Sequence, residues 1–494
     1  MAQTGAFLSR QLELRPDAPA LSDSLGTSWS FAELDQAAEA GAALLRRTSA
    51  KRGDRVMILS ENSAAAVAFL FACWKLGAVA VMVNARQSGA EVQRILDHAT
   101  PAVVVCTSAV SPDALAHADR LGATAQQGVF GSVHLARPYA SNADASLHDV
   151  AVLLYTTGTT GAPKGVMLTH DNLCFGGQAS ADLRQMSDKD LVYGVLPITH
   201  VFGLASVVVA ACSAGAAVRL EARFSAAKLF AALQDGVTLL SAVPQMHALL
   251  MQYTAEQGLK ALGSEKLRYV SSGAAPLDPS WKRKAEAFYG VALQNGYGMT
   301  ETTAGVCATK NPIGAADIST GPALPGVEVK IGGETPAGCA EVLTRGPHVM
   351  KGYYKDRVAT EQVLGPDGWL RTGDLGQLDA KGHLHILGRL KELIIHGGFN
   401  VYPPEVEAAL NDHPNVVQSA VIGRAIEGDE EVLAFVQLAE GDTTTAEALA
   451  AFVKPRLAGY KRPARIILTH DLPAAPTGKI LKHRLMAVFA DQLD

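Results

Sequence analysis

Disulfide frameworks, strong charge and secretion signals are all missing from this sequence of 494 residues, and each absence removes a class of protein. The six cysteines lie far apart and form no Cys-x-x-Cys pair, which favours buried thiols in a reducing compartment over a disulfide framework or a zinc site. The 43 basic residues nearly balance the 48 acidic ones, so we expect no nucleic-acid partner. Because no apolar core follows a basic start at the N-terminus, we expect no signal peptide and a cytoplasmic protein.

A long uninterrupted apolar run is also missing. The most apolar stretch, Ala64 to Val83, carries Lys75 and Gly77 in its middle. This pattern predicts a buried helix over Ala64–Leu76 that leads into a short strand, and it argues against a membrane span.

What the sequence does contain is 48% hydrophobic residues, enough for a large core, arranged in alternating helical and strand-like patterns. The helix pattern Phe31–Leu45, for example, is followed by the apolar strand pattern Arg55–Leu59. Such alternation, with short continuous runs of Val, Ile and Leu, predicts an α/β fold with mainly parallel sheets covered by helices on both faces.

Two changes of pattern divide the rest of the chain. A β-rich subdomain with frequent glycines begins near Pro325, and a mixture of helices and strands begins near Lys391. We therefore predict a large N-terminal domain over residues 1–388, a hinge at 389–391 and a small, mobile C-terminal α+β domain over 392–494.

The strongest chemical signal is a loop rich in glycine and threonine, Tyr155–Gly165, which directly follows the strand pattern Val152–Leu154. Its glycines allow tight turns, while its hydroxyl groups, backbone N–H groups and Lys164 suit a polyphosphate. It is not a Walker A loop, because no Gly-Lys pair in this chain precedes Ser or Thr. A plain surface loop is the alternative interpretation.

Further motifs follow in a fixed order, and together they resemble the adenylate-forming superfamily of acyl-CoA synthetases, peptide-synthetase adenylation domains and luciferases. The resemblance extends from Ser30 to Lys482, almost the whole chain. The segments that carry it, besides the loop, are Pro197–Gly203, Ser271–Pro276, Asn295–Glu301, Arg371–Asp374, Gly388–Lys391, Gly397–Asn400 and Pro476–Lys479.

The resemblance implies a set of site residues. The ATP and AMP contacts would be Thr156, Thr157, Gly158, Thr159, Thr160, Gly161, Lys164, Gly273, Ala274, Ala275, Asn295, Gly296, Tyr297, Gly298, Thr300, Asp374, Arg389 and Lys479. The acid pocket would be formed by His200, Val201, Phe202, Val243 and Met299. The catalytic residues would be Lys479, His200, Thr300 and Glu301, with Glu301 as the Mg²⁺ ligand; Lys391 would be the hinge and Gly397, Gly398 and Phe399 would line the CoA tunnel.

Several of these residue types suit their roles on chemical grounds alone. The Asn295 amide can pair with the amino edge of adenine, and the Tyr297 ring can stack on the base. Gly296 and Gly298 would let the base approach the backbone, but no third glycine completes a dinucleotide-binding fingerprint. His200 is either a core histidine or a group that shapes the acid site, and it is not needed as a base, because carboxylates are ionised at neutral pH.

We therefore predict an ATP-dependent acid–thiol ligase that forms an acyl-adenylate and then an acyl-CoA thioester. ATP and coenzyme A would be its co-substrates, and Mg²⁺ would be its cofactor. The alternatives are delivery of the acyl group to a carrier protein or an amine, and a silent ATP-binding protein. The first alternative is disfavoured because we find no carrier domain after Asp494, and the second because no motif is broken. The predicted pocket has no basic residue, so we expect a hydrophobic acid, aliphatic or aromatic; the oligomeric state stays open between monomer and homodimer.

Overall fold

The computed structural model of the chain describes residues 4–157, 163–273, 277–334, 340–439, 441–475 and 480–493. Below, the N-terminal part means the described residues up to 388, and the C-terminal part means those from 392 onward. The small turn between them, Leu390–Glu392, is a 3-10 helix that directly follows a strand ending at Arg389.

Two eight-stranded sheets form the centre of the N-terminal part. In spatial order the first sheet contains the strands Cys307–Ala308, Leu293–Tyr297, Tyr269–Ser272, Leu239–Ala242, Leu191–Gly194, Ala217–Leu220, Pro19–Asp23 and Ser28–Ser30. The second contains Gly352–Tyr353, Pro163–Thr169, Val150–Thr157, Val79–Asn84, Arg55–Ser60, Val103–Cys106, Gly131–Ala136 and Thr124–Gly128. In both sheets the central strands pair in parallel, whereas the strands toward the edges pair antiparallel.

Helices lie between the sheets and on both outer faces. Those of the N-terminal part are Gly5–Leu14, Phe31–Arg47, Ala64–Leu76, Gly89–Ala99, Pro112–Arg120, His170–Leu183, Val201–Gly203 continued by a π-helix Leu204–Val209 and by Ala210–Ala214, Ala226–Gln234, Pro244–Glu256, Pro279–Tyr289 and Arg357–Val363. The largest buried apolar cluster joins Phe69 to Ile58 of the second sheet and Val218 of the first, so the main core lies between the sheets. Separate clusters cover their outer faces.

Local signals explain why several predicted helices start and stop where they do. The Ser30 hydroxyl and the Glu33 carboxylate cap the first turn of Phe31–Arg47 in a capping box. The helix Ala64–Leu76 has its predicted bounds, because Ser63 caps its start and Gly77 adopts the left-handed conformation (φ 69°) after its end.

The β-rich subdomain and the C-terminal part follow in the predicted order. Four antiparallel strands form the subdomain, namely Glu328–Glu334, Ala340–Arg345, Leu370–Leu378 and Leu384–Arg389. The C-terminal part contains a hairpin with the strands Ile394–His396 and Phe399–Val401. It also contains a three-stranded sheet with the strands Val416–Ile426, Asp429–Leu438 and Arg465–Thr469. Its three α-helices are Pro403–Asn411, Ala446–Val453 and Lys482–Val488. The predicted fold class is therefore confirmed; the domain boundaries stay predictions.

The cysteines and the helix lengths bear on two expectations from the sequence. The five cysteines within the described ranges are free, and four of them (Cys73, Cys106, Cys212 and Cys307) are buried, while Cys174 is half-buried. Burial raises the pKa of these thiols, to about 12 for Cys106. In the part of the chain that the structure describes, no helix is long and apolar enough to cross a membrane.

Candidate active site

Tyr297, Asp374 and Arg389, which lie far apart in the sequence, are joined by polar contacts at the edge of the first sheet. The Tyr297 hydroxyl donates to Asp374 Oδ2 at 2.5 Å, and Arg389 Nε lies 3.3 Å from Asp374 Oδ1. Burial, followed by the charge of Asp374, raises the pKa of Tyr297 well above its ordinary value, so the phenol keeps its proton and remains a donor. The structure thus brings together three of the residues predicted for the adenine and ribose site.

The position of Asp374 follows from local geometry in the β-rich subdomain. Asp374 and Arg389 are direct partners on adjacent antiparallel strands, so their side chains leave the same face of the sheet. Gly373 before it has φ 71°, a conformation that favours glycine, and the Asp374 N–H donates to the Thr372 hydroxyl. A turn of this kind presents the carboxylate toward Tyr297.

The Asn295 amide, predicted to pair with adenine, is already bonded inside the protein. Its Nδ2 donates to the Ser319 carbonyl at 3.0 Å, and its Oδ1 accepts from the Gly296 N–H at 2.9 Å. These bonds use one of the two N–H groups and one of the two oxygen lone pairs of the amide. The role of Asn295 as an adenine contact stays a prediction.

Gly298, predicted to allow a close approach of the base, is also required by the protein itself. A Cβ atom at this position would lie 2.1 Å from the Ala304 carbonyl oxygen. Thr303 and Ala304 both adopt positive φ (48° and 71°), which folds the chain back onto Gly298. Glycine here is therefore explained by backbone packing beneath the Thr300–Thr302 turn.

Glu301, the predicted Mg²⁺ ligand, is 7% exposed and lies beside the predicted phosphate loop. Its Oε1 accepts a hydrogen bond of 2.9 Å from the Tyr353 hydroxyl, and Lys164 Nζ lies 4.9 Å from the centre of the Tyr353 ring. Burial and the charge of Glu301 raise the pKa of Tyr353, so this phenol also remains a donor. Thr300, next to Glu301, is buried in the same turn.

Tyr353 is a site residue that the sequence did not reveal. It lies on the strand Gly352–Tyr353, which pairs with Pro163–Thr169 beyond the phosphate loop. Its register places it opposite Val166, two residues from Lys164. No motif surrounds it in the sequence, so only the long-range strand pairing could have found it.

A single carboxylate such as Glu301 fits Mg²⁺ when ATP supplies phosphate oxygens, because Mg²⁺ is usually held by one or two carboxylates together with phosphates and water. Among the residues described, no group of three or more His, Cys, Asp or Glu could hold a metal ion by itself. The donor set therefore fits a nucleotide-bound Mg²⁺ ion.

The predicted acid-pocket residues divide into two groups. The Phe202 ring lies against Gly273, where an added Cβ would come within 2.8 Å of Phe202 Cε1. His200 caps the start of the same helix, with its Nδ1 accepting from the Phe202 N–H, and its side chain is exposed. Val201, in contrast, is 1% exposed and packs in the core between the sheets, and Val243 is buried in the core behind the first sheet. Met299 is half-buried.

The predicted hinge and tunnel residues lie on turns. Burial, followed by the nearby charge of Arg389, lowers the pKa of Lys391. Gly397 and Gly398 have φ of 58° and 78° and form the turn of the hairpin Ile394–Val401. Phe399 is 56% exposed and stacks on Tyr460, with ring centres 4.6 Å apart. Both roles stay predictions.

Seven predicted site residues lie outside the described residues: Gly158, Thr159, Thr160, Gly161, Ala274, Ala275 and Lys479. The positions that flank them are described in part. Thr156 pairs with Lys164, and the backbone of Thr157 pairs with Pro163, across the base of the phosphate loop. Ala474 pairs with Ile480, which directly follows Lys479 in the sequence.

Comparison with protein families gives two matches along the chain. Residues 8–354 match the AMP-binding enzyme family, and residues 405–479 match the C-terminal domain of AMP-binding enzymes. Among curated relatives, the chain is 34% identical to a feruloyl-CoA synthase of an Amycolatopsis species, with 97% of both chains covered. It is also 34% identical to an indoleacetate–CoA ligase of Aromatoleum aromaticum, with 92% of both chains covered.

Solved structures match over the whole chain as well. ATP-bound MatB from Rhodopseudomonas palustris superimposes with a TM-score of 0.85, at 31% identity and with 100% of both chains covered. Apo MatB from the same organism gives 0.74, at 32% identity, with 100% of this chain and 99% of that chain covered. The O-succinylbenzoate coenzyme A synthetase of Bacillus subtilis, in complex with ATP and a magnesium ion, gives 0.81 at 29% identity, with 97% of this chain and 98% of that chain covered.

These matches extend over both parts of the chain and include relatives above 30% identity along nearly its full length. They confirm the superfamily and the fold that the ordered motifs of the sequence indicated. The chain belongs to the AMP-binding enzyme family.

Proposed function

We propose that this enzyme is an acid–CoA ligase whose preferred substrate is a carboxylic acid with an aromatic tail. The ligase class, the use of ATP and Mg²⁺, and coenzyme A as acceptor agree with the sequence prediction and with the full-length relatives. The identity of the acid is the finer step, and it rests on the residues around Phe202.

The contact between Phe202 and Gly273 is the observation that carries the proposal. A glycine at 273 leaves room for an aromatic ring where any side chain would collide with Phe202. A ring lying on a bare glycine backbone makes a flat, apolar wall, which suits a planar aromatic substrate that can stack on or pack beside it. The predicted pocket contains no lysine or arginine, so a dicarboxylic acid would leave its second charge without a permanently charged partner.

The names of the relatives support the same choice. The feruloyl-CoA synthase and the indoleacetate–CoA ligase are named for acids with an aromatic ring. The alternative prediction, delivery to a carrier protein or an amine, has no support among them.

The described residues also indicate how the first step would be assisted. The acid's carboxylate attacks the α-phosphorus of ATP and pyrophosphate leaves, so charge develops on the phosphoryl oxygens. Glu301 would hold Mg²⁺, which neutralises part of that charge, and Lys164 beside it supplies a second cation. Asp374 and Arg389 would fix the ribose side, while Lys479 would approach from the C-terminal part.

Transfer to coenzyme A would follow after the C-terminal part rotates about Lys391, with residues 1–388 and 392–494 moving as separate domains. The better superposition with ATP-bound MatB than with its apo form supports the view that the present arrangement is one suited to ATP. The exposed Gly397–Phe399 turn would then approach the acyl-adenylate. A cytoplasmic location, with the acid, ATP and CoA as small-molecule partners, completes the proposal.

An acid panel tests the proposal directly. The enzyme is incubated with ATP, Mg²⁺ and CoA and with one acid at a time: ferulate, indoleacetate, a medium-chain fatty acid and malonate. Pyrophosphate release and thioester formation are measured for each. We expect the highest kcat/KM with an aromatic acid; a preference for the fatty acid or for malonate would contradict the aromatic assignment while leaving the ligase class intact.

A further inference from the structure

The turn between the strand Arg55–Ser60 and the helix Ala64–Leu76 connects the two large sheets through two consecutive polar side chains. Glu61 is 3% exposed and Asn62 is 2% exposed. Glu61 accepts two hydrogen bonds, of 2.8 and 2.9 Å, from Arg223, which follows a strand of the first sheet. Asn62 bonds to the neighbouring segment, residues 194–198. One turn of the second sheet therefore holds two adjacent segments of the first.

Asn62 directs both ends of its amide at that segment. Its Nδ2 donates to the Gly194 carbonyl at 2.9 Å and to the Leu196 carbonyl at 3.0 Å, and its Oδ1 accepts from the Ile198 N–H at 2.9 Å. The Gly194 carbonyl also accepts from the Glu221 N–H at 3.1 Å, so the two buried backbone groups that depend on the Asn62 amide are the Leu196 carbonyl and the Ile198 N–H. The amide thus fixes the path of the chain as it leaves the strand Leu191–Gly194.

The segment held by Asn62 is the support on which the helix with His200 and Phe202 begins. The His200 N–H donates to the Pro197 carbonyl at 2.9 Å. A Cβ atom on Gly203 would lie 2.3 Å from the Pro197 oxygen and 2.5 Å from the Leu196 oxygen. The first turn of this helix is therefore in direct backbone contact with the segment, and a shift of one moves the other.

Phe202 transmits this position to the acid pocket, because its ring lies on Gly273 and together they form one wall of the proposed pocket. We infer that Asn62, which lies outside the motifs named above, is a positioning residue that sets the width of the acid pocket and so the choice of acid. The inference rests on the proposed role of Phe202 and Gly273 in binding the acid. Asn62 acts through the 194–198 backbone and His200–Phe202, and it makes no contact of its own with the acid.

The test replaces Asn62 by Ala and measures steady-state kinetics with the acid that the wild type uses best. We expect the KM for that acid to rise by about tenfold or more, since a displacement of about 1 Å can cost about a hundredfold in rate. The KM values for ATP and CoA should stay within about twofold, because the Tyr297–Asp374 and Glu301–Tyr353 contacts do not involve this segment. The ranking of acids in the panel should also change.

Glu61→Gln is the matched control, because Glu61 lies in the same turn but bonds to Arg223 instead of the 194–198 backbone. It should lower the melting temperature without changing the KM for the acid. Asn62→Ser, which keeps one donor, serves if Asn62→Ala does not fold. The active fraction of each variant is measured from the pyrophosphate burst.

Two results would overturn the inference. One is an unchanged KM for the acid in both Asn62 variants, with kcat reduced only in proportion to the active fraction. The other is an equal rise of the acid KM in Glu61→Gln. A wild type that prefers an aliphatic acid would contradict the aromatic substrate, but the acid-selective effect of Asn62 would still be measurable with that acid.

Discussion

The N-terminal and C-terminal parts hold their predicted site residues in different ways. In the N-terminal part the carboxylates are buried and already bonded: Asp374 accepts from Tyr297, and Glu301 accepts from Tyr353. In the C-terminal part Gly397 and Gly398 lie on the turn of a hairpin, and Phe399 beside them is more than half exposed. This difference agrees with the proposal of a fixed nucleotide site in one part and movable contacts in the other, because preorganised groups need rigid surroundings whereas exposed turns can change partners.

The C-terminal part nevertheless has an apolar core of its own. Its three-stranded sheet has a separate apolar cluster on each face. Lys482 joins its two ends, since its Nζ lies 2.7 Å from Glu407 and 3.4 Å from Glu392, directly after the predicted hinge. A rotation at Lys391 would therefore move the whole C-terminal part relative to the N-terminal part.

The largest effect is expected from Lys479→Ala, which removes the cation that the C-terminal part would bring to ATP. Adenylation, measured as ATP–pyrophosphate exchange, should fall by about a hundredfold or more, as for loss of a group that stabilises transition-state charge. Thioester formation from supplied acyl-adenylate should survive. Lys454→Ala, at an exposed lysine of the same part, is the control. An equal loss in both half-reactions would assign Lys479 a structural role.

Lys391→Pro should affect the other half-reaction. Proline fixes φ near −65° and removes a donor, so it should restrict rotation at the hinge. We expect near-normal ATP–pyrophosphate exchange and thioester formation slowed by about tenfold to a hundredfold, as expected when the acceptor is misplaced. Lys391→Ala should be mild. Thioester formation at the wild-type rate in the proline variant would move the pivot elsewhere or exclude the rotation.

Glu301→Gln tests the fixed site in the N-terminal part. An amide oxygen binds a hard dication less well than a carboxylate, so activity at limiting Mg²⁺ should fall by about tenfold, and added Mg²⁺ should restore part of it. Tyr353→Phe removes only the hydrogen bond to Glu301 and should raise the Mg²⁺ requirement less than Glu301→Gln does. A Mg²⁺ titration of Glu301→Gln that matches the wild type would remove this residue from the metal site.

The smallest effect is expected where the two parts touch. Burial raises the pKa of Asp278, and Asp412 of the C-terminal part raises it further. A carboxyl with a raised pKa contributes stability that is complete at low pH and is lost as the pH rises through that pKa. Without the Asp412 carboxylate, the pKa of Asp278 should lie closer to its ordinary value. The melting temperature of Asp412→Asn should therefore fall less than that of the wild type as the pH rises just above the range in which carboxyl groups ordinarily titrate. An unchanged pH profile would show that the two carboxyls do not interact in solution.

The elements of the fold were predictable where the signal is local. The helix Ala64–Leu76 has its predicted bounds, because its apolar run, its Ser63 cap and Gly77 are all contiguous in the sequence. Strand bounds were less exact, since the strand pattern Val152–Leu154 lies within a longer strand, Val150–Thr157. The order of the strands could not be read in the same way, since Pro19–Asp23 pairs with Ala217–Leu220 about 200 residues later.

For the site, the motifs named residues but not their partners. Asp374 and Arg389 were each predicted, and their strand register shows why their side chains lie together. Tyr353 and Asn62 were missed, because one bonds to Glu301 and the other to the 194–198 backbone. Such contacts depend on side chains that meet only after folding, so no local pattern marks them.

The cysteines described above have a consequence for an enzyme that makes mixed anhydrides. An acyl-adenylate reacts with any thiolate that reaches it, and coenzyme A is only one source of thiol. Burial raises the pKa of Cys73, Cys106, Cys212 and Cys307, so within the described ranges the buried thiols stay protonated and out of contact with solvent. At these four positions the fold thereby keeps a thiol of the protein from competing with coenzyme A for the activated acid.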